Sequence, residues 1–548
     1  MQVRVISRLL LALAAALAGS IAHAQTDTGS IERTIPKVEV APEQRQAKVA
    51  TPSVPAESGA RISGTFVLSA VNIDGATVFS SEELAKSFEL YLASRIGQPE
   101  LDKIAADITE RYRRAGYLLS YAVVPEQSVS SGIVGIRVIE GFIGKVRIAG
   151  SSRSAAAVRE LAERLGAERP LRKATLERTL GLVRDIPGIV LADTRIGRNP
   201  RNPASHELTL TLRSDRIRAL AYTDNRGTIG GARLRGYSSF NLASLAVPGD
   251  QLQVDLFSIP SDDFRFLYGQ VKVSLPLGSD GLRATVSASR GDQFQRLSGP
   301  DQHGKSRQLT AELAYPFRES RALSLAGHVS LSDWKSEEKR AGAIIQRDRF
   351  QVARAWLEFS HLSKTRIDGR IGISRGLDLG SATEAGDARA SRPHAGADFT
   401  KLNANLRVFT PVAERFTLRA EMAAQYALQP LLAPEEFALG GSRIGRAFDF
   451  NEVTGDHGVG GVLEIAYRLR DAKRGPKAVE VFAFADGGGA FRKKSSPALP
   501  DEQWLASAGT GMRFSALGFL WSGEIGIPVA RSNADRDVRA FFSVARAF

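Results

Sequence analysis

The 548-residue chain contains no cysteine. It therefore has no disulfide bond, no thiolate metal ligand and no cysteine nucleophile, and it is compatible with an oxidising compartment. After its N-terminal segment the chain also lacks any run of eighteen or more apolar residues. This excludes a transmembrane helix but leaves a transmembrane barrel open, because barrel strands are short and only alternately apolar.

Motifs of common enzyme classes are missing as well. The chain has no G-x-S-x-G elbow, no H-E-x-x-H helix and no Walker loop, and the adjacent pair Asp456-His457 has no such motif around it. The formal net charge is +14, but the sequence has no Lys/Arg-rich run. We predict that the protein is not an enzyme, has no catalytic residue, cofactor or metal site, and binds no nucleic acid.

The N-terminus has the three parts of a secretory signal peptide. Arg4 and Arg8 form the positive region, Leu9 to Ala18 the apolar core, and Ala22-His23-Ala24 the small-x-small cleavage site. We predict a signal peptide over residues 1–24 and a mature protein that begins outside the cytoplasm.

Residues 25–62 are rich in proline, serine, glutamine and alanine, which is typical of a linker. The segment SIERTI, residues 30–35, is a candidate plug helix, although Pro36 would end it early.

Residues 63–140 have the pattern of a compact α/β module. The order predicted from hydrophobic spacing is strand, helix, helix, strand, strand, and Val134, Ile136 and Val138 alternate with polar or small residues. The segment YRRAGYLLSYAVVPEQ followed by SGIVGIRVIEG resembles the first POTRA domain of a family of secretion transporters. The pattern repeats more weakly over residues 141–216, so we predict two POTRA domains.

From residue 217 to residue 548 the helical spacing gives way to a period of two. For example, Leu402, Ala404, Leu406 and Val408 alternate with polar residues, as the lipid-facing and lumen-facing residues of a barrel must. We place about 16 antiparallel strands, starting near residues 217, 233, 250, 264, 282, 306, 321, 348, 364, 399, 414, 459, 478, 503, 519 and 538. Long gaps at 293–305, 338–347, 379–398 and 429–458 are expected outside the cell, and short gaps in the periplasm.

One glycine-rich stretch lies between two of these strands. Residues 439–458 read LGGSRIGRAFDFNEVTGDHG, and glycine at this density permits backbone angles that are closed to other residues. GRAFD followed by TGDHG resembles the sixth-loop motif of two-partner secretion transporters of the ShlB/FhaC/HecB type, within the Omp85 superfamily. The sequence departs from that motif at Ala447, where the family usually has glycine.

The resemblance implies a fold class and a set of site residues. The fold is a transmembrane β-barrel preceded by two periplasmic α/β POTRA domains, and the motif loop folds back into the barrel lumen. VFAFADGGGAF and LASAGTGMRF match two motifs on strands that face this loop. The terminal aromatic residue would act as the barrel insertion signal. The implied residues are Gly445, Arg446, Phe448, Asp449, Gly455 and Asp456 on the loop, Asp486 as the lumen partner of the loop arginine, and Phe548 at the C-terminus.

The same resemblance implies the function. The protein would recognise an unfolded exoprotein in the periplasm, pass it through the barrel to the cell surface, and reside in the outer membrane. The cargo would be a large β-helical adhesin, haemolysin or toxin, and further partners would be outer-membrane lipids including lipopolysaccharide and the barrel-assembly machinery. Substrate recognition would fall to the first POTRA domain, at Tyr112, Gly116, Tyr117, Pro125 and Gln127. A barrel-assembly factor of the same superfamily and a passive porin remain as alternatives.

Overall fold

The computed structural model describes residues 28–36, 49–50, 64–129, 131–150, 154–227, 233–320, 322–470, 477–493, 501–530 and 537–548. The predicted signal peptide and most of the predicted linker lie outside these ranges. No helix in the described ranges is long and apolar enough to cross a membrane.

Sixteen antiparallel strands form a closed barrel, in which each strand pairs with its neighbours in the barrel and the last strand pairs with the first. The predicted fold class is therefore confirmed. The strands are β10 (Ile217–Asp224), β11 (Arg235–Ala243), β12 (Gln251–Ile259), β13 (Phe264–Pro276), β14 (Arg283–Gln295), β15 (Gln302–Glu319), β16 (Leu323–Arg340), β17 (Ala343–Leu362), β18 (Arg366–Leu377), β19 (Thr400–Pro411), β20 (Phe416–Ala427), β23 (His457–Arg470), β24 (Lys477–Phe491), β25 (Glu502–Ala516), β26 (Phe519–Ala530) and β27 (Arg539–Ala547).

The period of two in the sequence correctly assigns the two faces of the strands. Leu402 is 50% exposed on the outer face, whereas Lys401, the residue before it, is buried inside. Outward apolar residues and inward polar residues are what a barrel with lipid outside and a polar lumen requires.

The predicted long gap at residues 338–347 is wrong. Strands β16 and β17 continue through it and are joined by the two residues Ala341 and Gly342, both with positive φ (50° and 79°). Two consecutive residues with positive φ form a tight hairpin turn whose twist matches that of long strands. A sequence reading that seeks long polar loops misses such a turn, since the polar residues here belong to the strands.

The first α/β module precedes the barrel. Its elements are β2 (Phe66–Val67), β3 (Ala70–Asp74), α2 (Ser81–Ala85), a 3-10 turn (Glu89–Tyr91), β4 (Arg95–Ile96), α3 (Gln98–Arg114), β5 (Tyr121–Val123) and β6 (Ile133–Ile139). A capping box starts α2, because Ser80 Oγ accepts from Glu83 N (3.2 Å) and Glu83 Oε2 accepts from Ser80 N (3.0 Å). The order of the three-stranded sheet is β3-β6-β5, which leaves β5 at one edge.

The second module contains β7 (Phe142–Ala149), α4 (Ala155–Glu163), a 3-10 turn (Arg164–Ala167), α5 (Lys173–Arg184), β8 (Ile189–Asn199) and β9 (Asn202–Ser214). A two-residue strand, β1 (Val49–Ala50), adds in parallel to the edge of β8, so the sheet order is β1-β8-β9-β7. Each module has its own cluster of buried apolar residues. Between α5 and the barrel wall, burial and the nearby carboxylate of Glu319 raise the pKa of Asp185 to about 6.

A short helix, α1 (Thr28–Glu32), lies against the inner wall of the barrel. Ile31 is 1% exposed within a cluster of inward-facing side chains from β12 and β13. The backbone N–H of Thr28 donates to Glu338 (3.1 Å), and Arg33, just beyond the helix, donates to the carbonyl of Glu436 (2.7 Å). The candidate plug segment thus contains a helix of five residues in the lumen, which ends before Pro36.

The C-terminal residue completes the closure of the barrel. The backbone N–H of Phe548 donates to Ala219 (2.9 Å), and Ala219 N–H donates back (3.2 Å). The ring is 65% exposed on the lipid-facing side and is covered by the guanidinium of Arg546, 4.6 Å from its centre.

We expect deletion of Phe548 to lower the yield of folded barrel while leaving the export activity of each folded barrel unchanged. The change removes the last pair of closing hydrogen bonds and an exposed aromatic ring that the insertion machinery would read. Heat-modifiable mobility on a gel measures the folded fraction, and Phe548→Tyr, which keeps the ring, is the matched control. An unchanged folded fraction in the deletion variant would contradict this role.

Candidate functional site

The loop between β20 and β23 folds into the barrel lumen. It carries a small hairpin of β21 (Phe437–Leu439) and β22 (Val453–Gly455), and its apolar side chains pack against the wall. The buried cluster consists of Phe437, Leu439, Ile444, Phe448, Val453, Ala490 and Leu505. The last two belong to β24 and β25, so the loop is anchored on these strands.

Glycine is required at the tip of this hairpin for two reasons. Gly440 has φ +105°, and a Cβ there would lie 2.0 Å from the carbonyl oxygen of Asp449. Gly445 has φ +83°, a region that side chains other than glycine rarely adopt. Ala447 is not among the described residues with positive φ, so the departure from the family motif is accommodated without backbone strain.

Asp486 on β24 binds the backbone of the motif rather than its guanidinium. Its two carboxylate oxygens accept from the N–H groups of Gly445 (2.9 Å) and Arg446 (3.1 Å), and Ser507 Oγ also donates to it. The predicted pairing of Asp486 with the Arg446 guanidinium is therefore wrong. The Asp486 carboxylate satisfies these two backbone N–H groups, which would otherwise be buried without partners.

The Arg446 side chain instead pairs with Glu464 on β23. Its Nη1 lies 2.9 Å from Glu464 Oε2 and 3.7 Å from Glu524 on β26, while the guanidinium stacks 4.5 Å from the ring centre of Phe484. A planar guanidinium suits both a carboxylate and an aromatic face, which a lysine does not.

Glu464 is the centre of a network of charges on the lumen wall. It also pairs with Arg513 and with Arg419 (2.7 Å), and both of these arginines reach Glu480 at 2.7 and 2.8 Å. Arg226 pairs with Glu524 and donates to the Arg446 carbonyl (3.0 Å). With Asp486 included, four arginines face four carboxylates, so the buried charges of this network balance.

The remaining predicted motif residues have other contacts. Phe448 is 3% exposed within the apolar cluster, and Asp449 pairs with Arg539 on β27 (2.6 Å). Asp456 is fully buried near the outer end of the barrel, where it pairs with Arg392 (2.5 Å) and accepts from the backbone of Leu431 (2.7 Å) and Lys493 (2.9 Å). Asp456 thus joins three outer loops and is not part of the network around Arg446. At Gly455 a Cβ would lie 2.7 Å from the backbone of Phe491.

Sequence reasoning missed Glu464, Arg513, Arg226 and Ser507. Glu464, Arg513 and Ser507 are charged or polar residues on barrel strands, and Arg226 lies just after β10. Glu464 has a recognisable signal, because it is a carboxylate on the inward phase of an otherwise apolar stretch, VLEIA. A single inward charge of this kind needs a partner, which the motif arginine supplies.

The predicted recognition residues of the first module fall into three groups. Tyr112 is fully buried in the core and donates to Glu140 (2.7 Å). Gly116 and Tyr117 contact the second module: the Gly116 carbonyl accepts from the backbone N–H of Lys173 (2.7 Å), and the Tyr117 hydroxyl accepts from Arg172 (3.2 Å). The prediction that Tyr112 forms part of a recognition surface is wrong, since its side chain lies in the core. Gly116 and Tyr117 lie at the junction of the two modules, and their role in recognition stays a prediction. Pro125 and Gln127 lie by the β5 edge, and the Gln127 side chain binds both backbone groups of Gly135 (2.6 and 2.7 Å).

The Tyr112–Glu140 contact lies outside the membrane. Burial, followed by the hydrogen bond to Glu140, raises the pKa of Tyr112 above its usual range. Burial opposes the ionised form of Glu140, but hydrogen bonds from Thr77, Tyr112 and Val78 outweigh it and lower the pKa of Glu140. The pair is therefore a neutral phenol bound to a carboxylate, which fixes the turn after β3.

Comparisons with known proteins agree with this architecture. Residues 208–514 match the family described as haemolysin secretion/activation protein ShlB/FhaC/HecB, and residues 66–141 match the ShlB-type POTRA domain. The heme/hemopexin transporter protein HuxB of Haemophilus influenzae strain 86-028NP is 23% identical over 480 residues, which cover 83% of this chain and 82% of that protein. The outer membrane transporter CdiB of Escherichia coli is 23% identical over 504 residues, covering 85% and 80%.

A second match to HuxB, in strain KW20, spans 276 residues at 24% identity and covers about half of each chain (49% and 48%). Among solved structures, CdiB from Escherichia coli superposes with a TM-score of 0.72 at 18% identity, covering 95% of both chains. CdiB from Acinetobacter baumannii gives a TM-score of 0.64 at 16% identity, covering 100% of this chain and 98% of that one. These structural likenesses establish the fold.

A closed sixteen-stranded barrel with a POTRA domain before it and a charged loop inside it defines an outer-membrane transporter whose POTRA region is periplasmic. The family match covers more than half of the chain. The protein belongs to the haemolysin secretion/activation family ShlB/FhaC/HecB, the two-partner secretion transporters.

Proposed function

We propose that the protein binds an unfolded exoprotein in the periplasm at its first POTRA domain and passes it through the barrel as the motif loop and α1 rearrange. The observation that carries this proposal is the way the lumen is filled. The loop and α1 are held by ion pairs, hydrogen bonds and two apolar clusters, with no strand of the loop paired to a barrel strand in the described ranges. Side-chain contacts can exchange for contacts with a passing chain, whereas a strand of the closed wall cannot leave.

The proposed recognition site is the outer edge of β5. In the described part of the chain no strand pairs with that edge, and a cavity of about 710 Å³ lies where the end of β5 and the neighbouring end of β6 meet the β8–β9 hairpin. The lining includes Val123, Pro125 and Glu126 on one side and Asn202 and Ala204 on the other. An unfolded segment can add to such an edge through its backbone, and the cavity has room for its side chains.

Within this site Gln127 is a positioning residue. Its amide donates to Gly135 O and accepts from Gly135 N, so it imitates a peptide group at the place where the pairing of β5 with β6 has ended. It also donates to the carbonyl of Pro125 (3.3 Å), which fixes the segment that lines the cavity.

We expect Ala204→Trp to reduce export several-fold while the barrel folds normally, because the indole fills the cavity that the exported segment would occupy. The assay uses a strain in which surface delivery of an epitope-tagged candidate β-helical exoprotein depends on a plasmid copy of the transporter. Ala156→Trp, on the exposed side of α4, is the matched control and should export normally. Equal export by both variants would show that the cavity does not hold the exported segment.

We propose a separate role for each part of the chain. Residues 63–140 would bind the cargo, residues 141–216 would deliver it, and residues 217–548 would form the channel, after removal of residues 1–24. Lipids, including lipopolysaccharide, would surround the barrel, and the barrel-assembly machinery would insert it. The charged site would act by gating and not by catalysis.

A further inference from the structure

A row of basic side chains lies on the lipid-facing surface of the barrel near its outer end. Arg290 pairs directly with Arg307, Arg307 with Lys335, and Lys335 with Arg349, so the row crosses β14 to β17 without interruption. Burial of the neighbouring residues fixes the direction of these side chains. Ser306, Trp334 and Phe350 are 3%, 7% and 1% exposed and face inwards, which points the residues of the row outwards.

Like charges directly opposite each other destabilise a sheet, and this row contains three such pairs. Only part of the charge is compensated within the protein. Arg290 pairs with Asp292 (2.8 Å) and Lys335 with Asp333 (3.0 Å), but Arg307 and Arg349 have no ion pair within the described ranges. Four cations against two carboxylates leave a net excess of positive charge that calls for an anion.

The next row towards the outside is built differently. Asp292, Lys305, Glu337 and Arg347 pair across the same four strands with alternating sign. Glu337 lies 2.8 Å from Arg347 and 2.9 Å from Lys339, and Asp292 is shared with Arg290 of the basic row. Counted by strand position alone, the basic row has four cations and no carboxylate, whereas this row has two of each, so the excess charge is greatest in the basic row.

On the membrane side the basic row borders an apolar surface. Leu309 is 55% exposed one step towards the periplasm, and Val286 and Leu331 are 53% and 50% exposed one step further. An anion bound to the row thus has its charge held by arginine and lysine, with apolar surface directly below it on β14 and β15 and, beyond Asp333, on β16 as well. This combination fits a phosphate that carries acyl chains.

We propose that the row formed by Arg290, Arg307, Lys335 and Arg349 binds the phosphate groups of the outer-leaflet glycolipid, lipopolysaccharide. The row lies at the outer end of the exposed apolar residues of these strands, where lipid headgroups would meet the barrel, and it offers two adjacent pairs of cations, one for each phosphate of a diphosphorylated headgroup. This site deepens the proposed contact with lipopolysaccharide and rests on it. It would orient the barrel at β14 to β17, of which β14, β15 and β16 also contact α1.

The test measures binding of diphosphoryl lipid A to the purified full-length protein in detergent. Arg307→Gln with Arg349→Gln removes the two cations without ion pairs, and should weaken binding by about tenfold or more, since each basic residue near a lipid phosphate contributes on the order of 1 kcal/mol. Lys305→Gln with Arg347→Gln is the matched control. It removes the same charge from the same two strands, one step further out, and should change binding less than about threefold.

Three outcomes would overturn the proposal. They are equal weakening by the two double variants, no weakening by either, and equally tight binding of phosphatidylglycerol or inorganic phosphate to the wild type. Heat-modifiable mobility shows whether each variant is folded. Export of the tagged exoprotein, measured in parallel, separates loss of the lipid site from failure of the transport proposal, because a variant that loses lipid A but still exports affects only the former.

Discussion

Arg446→Ala is expected to lower export of the partner by at least about tenfold while the yield of folded barrel stays near that of the wild type. The substitution removes the 2.9 Å contact with Glu464 and the stacking on Phe484. Breaking a buried ion pair typically costs about 3–5 kcal/mol. We expect the low end of that range, because Glu464 keeps Arg419 and Arg513 and Glu524 keeps Arg226.

A loss of about 3 kcal/mol destabilises the resting position of the loop and leaves the barrel wall intact. The sixteen strands retain all their backbone pairs, so the barrel still closes, but the loop loses its side-chain anchor and its defined resting state. Arg446→Lys should rescue poorly, since a lysine cannot stack on Phe484 and reach Glu464 as a planar group.

Arg443→Ala is the matched control on the same loop. Arg443 pairs with Glu421 but its side chain is 54% exposed, so its loss should change export little. The comparison uses the surface-to-periplasm ratio of the tagged exoprotein, normalised to the heat-modifiable barrel band. If Arg446→Ala lowers the folded band as much as it lowers export, the residue is structural and the gating account fails.

Deletion of residues 66–140 is expected to abolish export, again by tenfold or more, and to leave an inserted barrel. The deleted segment contains the whole core cluster of the first module and the β5 edge that is proposed to bind the cargo. An unfolded chain that finds no edge to pair with has no route from the periplasm into the lumen.

The deletion also removes contacts with the second module, so its effect must be separated from damage there. Leu119 packs into the core of the second module, and Tyr117 accepts from Arg172. Limited proteolysis of the deletion variant shows whether residues 141–216 stay folded. Normal export by the deletion variant would remove the first module from the mechanism. Lost export with an intact second module and barrel is the predicted result.

Much of the architecture is predictable because it is periodic. Alternation over ten or more residues fixes which face meets lipid, and the starts of the sixteen predicted strands lie within about five residues of those in the structure, an error typical of element boundaries. The tight outer turn at Ala341–Gly342 was not predicted, because the polar strand ends on either side of it resemble a long polar loop in the sequence.

The site was less predictable, because it depends on which groups meet across the lumen. The motif indicates that Arg446 and Asp486 lie close together, and the structure places them so, but through the backbone N–H of Arg446. A motif gives residue types and not which atom of each makes the contact. Tyr112 was assigned to substrate recognition because it is an aromatic residue in a family motif. The structure instead buries its side chain in the core.

The motif loop rests against the inner wall of the barrel, and a disulfide bond between the two measures this directly. An added Cβ at Gly526 on β26 would lie 3.3 Å from the Cβ of Ala447, close to the separation of about 3.5–4.5 Å in disulfides. The chain has no native cysteine, so only the introduced pair can react. Gly523, on the same strand but the opposite face, has no atom within 4 Å of an added Cβ and provides the control partner.

We predict that Ala447→Cys with Gly526→Cys crosslinks readily in the outer membrane, seen as a mobility shift of the heat-denatured, non-reduced protein. Export should then stop until a reductant is added. Ala447→Cys with Gly523→Cys should not crosslink. If the first pair fails to crosslink under oxidant while each single variant folds and exports, the loop does not rest against the wall and the account is contradicted.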